Sequence, residues 1–170
     1  MYQTIMVVLA ILLAGLLAVG GINYINQDTA LRIEVSKTLE AHADLLVGTV
    51  SIYKSTNNGF FPNSIKRINT LLPDGNIPAL PKSMSDFSWT TVKTGGTRGI
   101  CISGYNSEGL DSDVAAGVTT FAKMRALDLP GSVLYSDACG QVGFSTSEPD
   151  LMEPENLTNT TSMAVVIKDQ

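Results

Sequence analysis

Two cysteines, one histidine and one cluster of side-chain oxygens are the residues of this 170-residue chain whose types and spacing suit chemistry. Cys101 and Cys139 are the only cysteines. Neither has a Cys-x-x-Cys neighbour, a histidine partner or an acidic cluster beside it, which argues against redox catalysis and against zinc. An even cysteine count in a domain that a membrane run would deliver outside the cytoplasm predicts a disulfide, the alternative being two buried free thiols. Closing a loop of about 38 residues contributes roughly 4 kcal/mol in the chain-entropy model. His42 is the single histidine, so any Ser-His-Asp site has to use it. No G-x-S-x-G elbow is present, and Gly104-Tyr105-Asn106-Ser107-Glu108-Gly109 has the wrong spacing, so His42 is expected to be packed or partly solvated and the chain not to be an enzyme. Asn106 to Asp113 gathers oxygen ligands, with Glu108, Asp111 and Asp113 as a weak calcium candidate. It lacks the alternating acids and terminal Glu of an EF-hand loop, and helix capping by Asp111 or Ser112 competes with metal binding. Asn156 and Asn159 each open an N-x-Thr glycosylation pattern. No cofactor is expected.

The elements that must position these residues begin with an apolar run. From Ile5 to Ile22 about 18 apolar residues follow one another, enough for about 27 Å of helix, and no charged residue occurs before Asp28. This excludes an ordinary cytosolic globular protein. A signal peptide or anchor carries a basic flank, and only Met1-Tyr2-Gln3-Thr4 precedes the run here, which points to a processed N-terminus. An uncleaved anchor with a weak topology signal is the alternative. Beyond the run, Leu31, Val35, Leu39, His42, Leu46, Val50 and Tyr53 recur at helical spacing, with polar residues expected on the other face. No proline intervenes before Pro62, so one helix is predicted from about Tyr2 to about Ser55, roughly 80 Å long. Gly15, Gly20 and Gly21 interrupt its apolar half, where glycine permits close helix approach.

Thr56-Asn57-Asn58-Gly59 should end the helix. A short helix from Ser64 to Leu72 and an extended proline-rich path through Pro73, Pro78 and Pro81 follow. Strands are predicted at 87–93, 98–105, 133–136, 141–144 and 163–168, with a helix from Ser112 to Leu127 between the second and third. The economical assembly is α+β: a long N-terminal helix with its apolar half protruding, packed against a small antiparallel sheet. Residues 1–27 form the apolar half. Residues 28–170 form one globular head, with a connector at 56–86 and a disulfide-bounded region at 101–139. A net charge of −5 and a pI near 4.7 argue against direct binding to nucleic acid.

The uncharged apolar start, the unbroken helix to Tyr53 and the connector Asn58-Gly59-Phe60-Phe61-Pro62, continued by Leu72-Pro73 and Leu80-Pro81, resemble a bacterial type IV pilin or a related pseudopilin. Trp89 in a first strand and the Cys101–Cys139 pair around a helix are similar too, and a mature chain beginning with Met looks like the type IVb subgroup. The resemblance implies a leader cut by a prepilin peptidase and N-methylation of Met1. It also implies passage from the bacterial inner membrane, through the pilus assembly machinery, into an extracellular filament whose core is built from copies of this helix. Ile5, Val8, Leu12, Gly15, Leu16, Gly20 and Gly21 would line that core. One position departs from the family: it usually carries Glu at the fifth residue, where this chain has Ile5. That departure suits a minor subunit at a filament tip or a secretion-system pseudopilin. A membrane-anchored monomeric binding module outside the cytoplasm is the alternative of a different class.

Overall fold

The computed structural model describes residues 27–94, 96–140 and 160–169. By its internal contacts the chain divides into Met1–Ala30 and Leu31–Gln170, and nearly all the described residues belong to the second unit. Helix α1 (Gln27–Thr56) presents Val35, Leu39, Ala43, Leu46 and Val50 as its buried stripe, with Leu31 and Tyr53 half-buried at either end. The predicted stripe holds, with His42 half-buried like Leu31 and Tyr53. Ala43 takes the inward place there and the imidazole sits at the stripe's edge, because a methyl group packs in an apolar core without burying two polar nitrogens. The helix ends where expected: Asn58 and Gly59 both take positive φ (54° and 79°), and the Gly59 N–H donates to the Lys54 carbonyl at 2.8 Å, closing the last turn.

The connector contains a 3-10 segment at Ile65–Leu71, started by the Ser64 side chain accepting from the Lys66 N–H. A second short 3-10 turn at Lys82–Met84 breaks the otherwise extended proline-rich path. Ile68 and Met84, both fully buried, anchor the two turns in the core. Strands β1 (Phe87–Thr94) and β2 (Thr97–Tyr105) form a hairpin. Helix α2 (Ser112–Asp128) follows, then β3 (Val133–Ser136) and β4 (Ser162–Lys168). The sheet is antiparallel throughout, in the order β1-β2-β4-β3. The last strand therefore inserts between two earlier ones. The predicted strand at 141–144 lies outside the described residues.

Register decides which residues meet. Trp89, Ile102, Val165 and Tyr135 stand in one row across all four strands, and all belong to the large core that also contains the stripe of α1 and the inner face of α2. Alternate residues point the other way: Val92, Cys101, Leu134, Ala164 and Val166 form a smaller cluster with Cys139. Because β4 lies inside the sheet and is covered on both faces, it reads as a near-continuous apolar run, with Met163 to Ile167 buried without interruption.

The two helices run side by side in the same direction. Arg32 of α1 pairs with Asp113 of α2, and Asp44 of α1 pairs with Arg125 of α2. Both pairs join residues 81 apart in sequence, so the register between the helices is constant from one pair to the other. Gly117 lies between them. A Cβ there would stand 2.7 Å from Val35 Cβ and 3.0 Å from the Arg32 carbonyl oxygen, so its absence is what lets the backbones approach.

Candidate functional site

The sequence-predicted chemistry resolves into structural roles. Cys101 on β2 and Cys139 beyond β3 form a disulfide, with Cα atoms 6.0 Å apart. In sheet order β4 lies between β2 and β3, so the chain beyond β3 returns toward β2 to make this link, on the face away from the helices. Asp111 caps α2: its Oδ1 accepts from the backbone N–H groups of Asp113 and Val114 at 2.9 and 3.1 Å. Asp113 is turned toward α1, its Oδ1 accepting from Arg32 Nε and Nη2 at 2.9 and 2.8 Å. The backbone N–H of Glu108 donates to Asn106 Oδ1 at 3.0 Å. The structure thus does not converge Glu108, Asp111 and Asp113 on a common point, and among the described residues no group of three His, Cys, Asp or Glu side chains is placed to hold a metal ion.

His42 is half-buried on α1, and its Nδ1 is enclosed without a hydrogen-bond partner. Burial disfavours the imidazolium and holds the pKa below its ordinary value. Tyr135 on β3 is more deeply enclosed; its hydroxyl also lacks a partner, and desolvation raises its pKa so that it stays neutral.

The surface that stands out is the outer face of α1, which differs from the expected polar face. Ala41, Leu45, Gly48 and Ile52 recur at spacings of four, three and four and are all exposed, Leu45 at 37% and Ile52 at 53%. Ile33, half-exposed, lies about two turns nearer the N-terminus than Ala41. A Cβ built on Gly48 meets no atom within 4 Å, so this glycine leaves the stripe open to approach from outside. A single helix therefore carries two apolar stripes, one covered by the sheet and one bare. The periodic signal for the second was present in the sequence, but the stronger inner stripe and the charges Glu34, Lys37, Glu40 and Asp44 obscured it. Phe60, 69% exposed, lies just past the helix end.

The predicted core-lining residues Ile5, Val8, Leu12, Gly15, Leu16, Gly20 and Gly21, the terminal Met1, and the glycosylation patterns at Asn156 and Asn159 lie outside the described residues. Among the described residues no helix is long and apolar enough to cross a membrane. The chain matches no family model, and no curated protein or solved structure shows significant similarity to it.

Proposed function

We propose that this chain is a structural subunit of an extracellular filament of the type IV pilus kind, serving adhesion, aggregation, motility or DNA transfer. The observation that carries this reading is the bare stripe of Ala41, Leu45, Gly48 and Ile52 on a helix whose other stripe is already buried. A solvated surface helix has no need of a second apolar stripe, whereas a helix packed between its own head and neighbouring copies does. The uncharged run from Ile5 to Ile22, which leads toward the same helix, supplies the larger share of cohesion. At about 25 cal/mol per Å² even partial burial of that run between subunits amounts to many kcal/mol. Head-to-tail contacts of this kind do not close on themselves and so propagate as a fibre.

In this reading the chain is held in the bacterial inner membrane before assembly, a prepilin peptidase exposes Met1, and the assembly machinery passes the subunit into a pilus on the cell surface. The partners of the apolar half are copies of itself, and the head is not catalytic. Ile5, where the family carries Glu, favours a place for this subunit where no neighbour lies ahead to be paired with, as at a filament tip.

Mass spectrometry of the isolated protein tests the processing step. A methylated N-terminal Met1 is the expected result, and a chain with formyl-Met or upstream residues removes the filament reading in favour of an anchored monomeric module. Electron microscopy of sheared surface material tests assembly. Ile52→Asp, at a half-exposed position, should abolish filaments or incorporation into them while leaving the head's unfolding free energy within about 0.5 kcal/mol of the parent.

A further inference from the structure

The two ends of the sheet carry opposite charge. At one end Lys93 of β1 stands across from Arg98 of β2, and Lys168 of β4 stands across from Gly99. Lys93 and Arg98 are exposed, Lys168 is half-buried, and none of the three makes an ion pair among the described residues. At the other end Asp86 precedes β1 and Asp137 follows β3, both exposed and likewise outside any ion pair among the described residues. A shallow polar pocket there is lined by these two carboxylates, by Ser88, Ser103 and Ser162 and by Tyr105, with no lysine or arginine among its described lining. Asp86 Oδ2 accepts from Asn106 Nδ2 at 3.0 Å, a neutral donor that leaves the charge in place. Tyr105, 68% exposed, is the aromatic ring of this end.

Neighbouring charges do not cancel this contrast. At the basic end Lys54 and Arg125 are taken up by Asp169 and Asp44, and Asp128, in the last turn of α2, leaves the cations in excess. At the acidic end Arg32 is taken up by Asp113, Glu108 adds an exposed carboxylate, and Lys82, four residues before Asp86, leaves the carboxylates in excess. The basic end also holds a hollow. A cleft of about 180 Å³ opens between the C-terminal half of α1, the end of α2 and the ends of β2 and β4, with walls of Val50, Phe61, Ile100 and Ile167. A cavity of about 150 Å³ is enough for benzene, so one phenol ring fits. Gly99 at the cleft and Tyr105 lie at opposite ends of β2, about 20 Å apart along the strand.

We propose that the two ends bind one another between copies of this chain: the acidic end of one head docks on the basic end of the next, with the Tyr105 ring seated in the cleft. Copies of a protein with net charge −5 repel one another in most orientations, and this is the one in which carboxylates meet cations. The knob and the hollow are different surfaces, so the contact is heterologous and repeats from copy to copy. The inference deepens the filament reading and rests on it for the partner, a second copy.

Sedimentation of the full chain in non-ionic detergent micelles, at rising protein concentration, tests it. The parent should associate at about 50 mM salt and do so about fivefold or more weakly at about 500 mM, a dependence that contact between apolar runs does not produce. Reversing the acidic end by Asp86→Lys with Asp137→Lys, or the basic end by Lys93→Glu with Arg98→Glu, should each abolish this salt-sensitive association. A one-to-one mixture of the two reversed chains should restore pairing, because one keeps the basic end and the other the acidic end. Tyr105→Ser should weaken association of the parent about tenfold. Every substituted residue is exposed, so unfolding midpoints should match the parent's. Four results would each overturn the inference: no salt-sensitive association up to about 1 mM, association unchanged in either reversed chain, no recovery in the mixture, or no effect of Tyr105→Ser. Failure to recover beside intact filaments in sheared material removes this contact alone, and recovery beside a chain that keeps formyl-Met removes the filament reading alone.

Discussion

On the helix side of the sheet, Leu39, Leu46, Phe121 and Val118 pack against the row from Trp89 to Tyr135, and the side chains interlock into one large core. On the opposite side, Val92, Leu134, Ala164 and Val166 make a cluster several times smaller, and a disulfide between Cys101 and Cys139 closes it. The same two central strands serve both, since β4 sends Val165 and Ile167 one way and Ala164 and Val166 the other. The first face is stabilised by removing apolar area from water. The second has little such area, and its crosslink acts chiefly by restricting the unfolded chain. A fold can thus afford one thin face when a covalent link spans it.

The largest effect expected from this contrast comes from replacing Cys101 and Cys139 together by Ala. Stability measured by urea denaturation should fall by roughly 4 kcal/mol, given the loop of 38 residues between them. A loss below about 1 kcal/mol would mean that the thin face holds by packing alone.

Leu46→Ala probes the thick face. Leu46 is fully buried, and the cavity should cost about 3 kcal/mol. Because the disulfide acts on the other side of the sheet, the cost should be the same within about 0.5 kcal/mol in the presence and absence of the crosslink. A coupling larger than that would show the two faces to be one cooperative unit.

A smaller effect, about 1 kcal/mol, is expected for Asp111→Ala, which removes the acceptor of two backbone N–H groups at the start of α2. The loss stays small because Val114, Val118 and Phe121 hold the helix on the core after the cap is gone. Loss of helical circular dichroism out of proportion to that cost would show the cap, and not the core, to be what holds α2.

The smallest is an acid sensitivity confined to the helix side. Burial keeps the folded pKa of His42 below its ordinary 6.5, so the unfolded chain takes up the proton first. Its contribution to stability is therefore fully present above pH 6.5 and is lost as the pH falls below it. Unfolding free energy measured between pH 7 and pH 5 should decline, and His42→Gln should flatten that part of the profile. An unchanged slope in the variant would assign the decline to other groups.

Local signals carried much of this outcome. The end of α1 is written in Asn58 and Gly59, the start of α2 in Asp111, and the limits of β1, β2 and β3 fall within a residue or so of the alternating and apolar runs that announce them. What was not legible depended on neighbours distant in sequence. His42 rather than Ala43 looked inward because helical spacing tolerates either, and only the sheet's packing against α1 selects the smaller residue. The outer stripe of Leu45, Gly48 and Ile52 was hidden by charges interleaved with it.

Among the described residues the sequence by itself determined the elements other than the turn at Lys82–Met84, their order and the pairing of the two cysteines. Their periodicity, turn chemistry and count are local properties that a chain expresses wherever it folds. Only the tertiary structure decided that the last strand lies between β2 and β3. That placement buries the last strand on both faces and brings Asp169 back to Lys54. The reason is physical: a run buried on both sides, such as Met163 to Ile167, has no polar face to betray its neighbours, and its position is fixed by long-range pairing and by the burial that pairing permits.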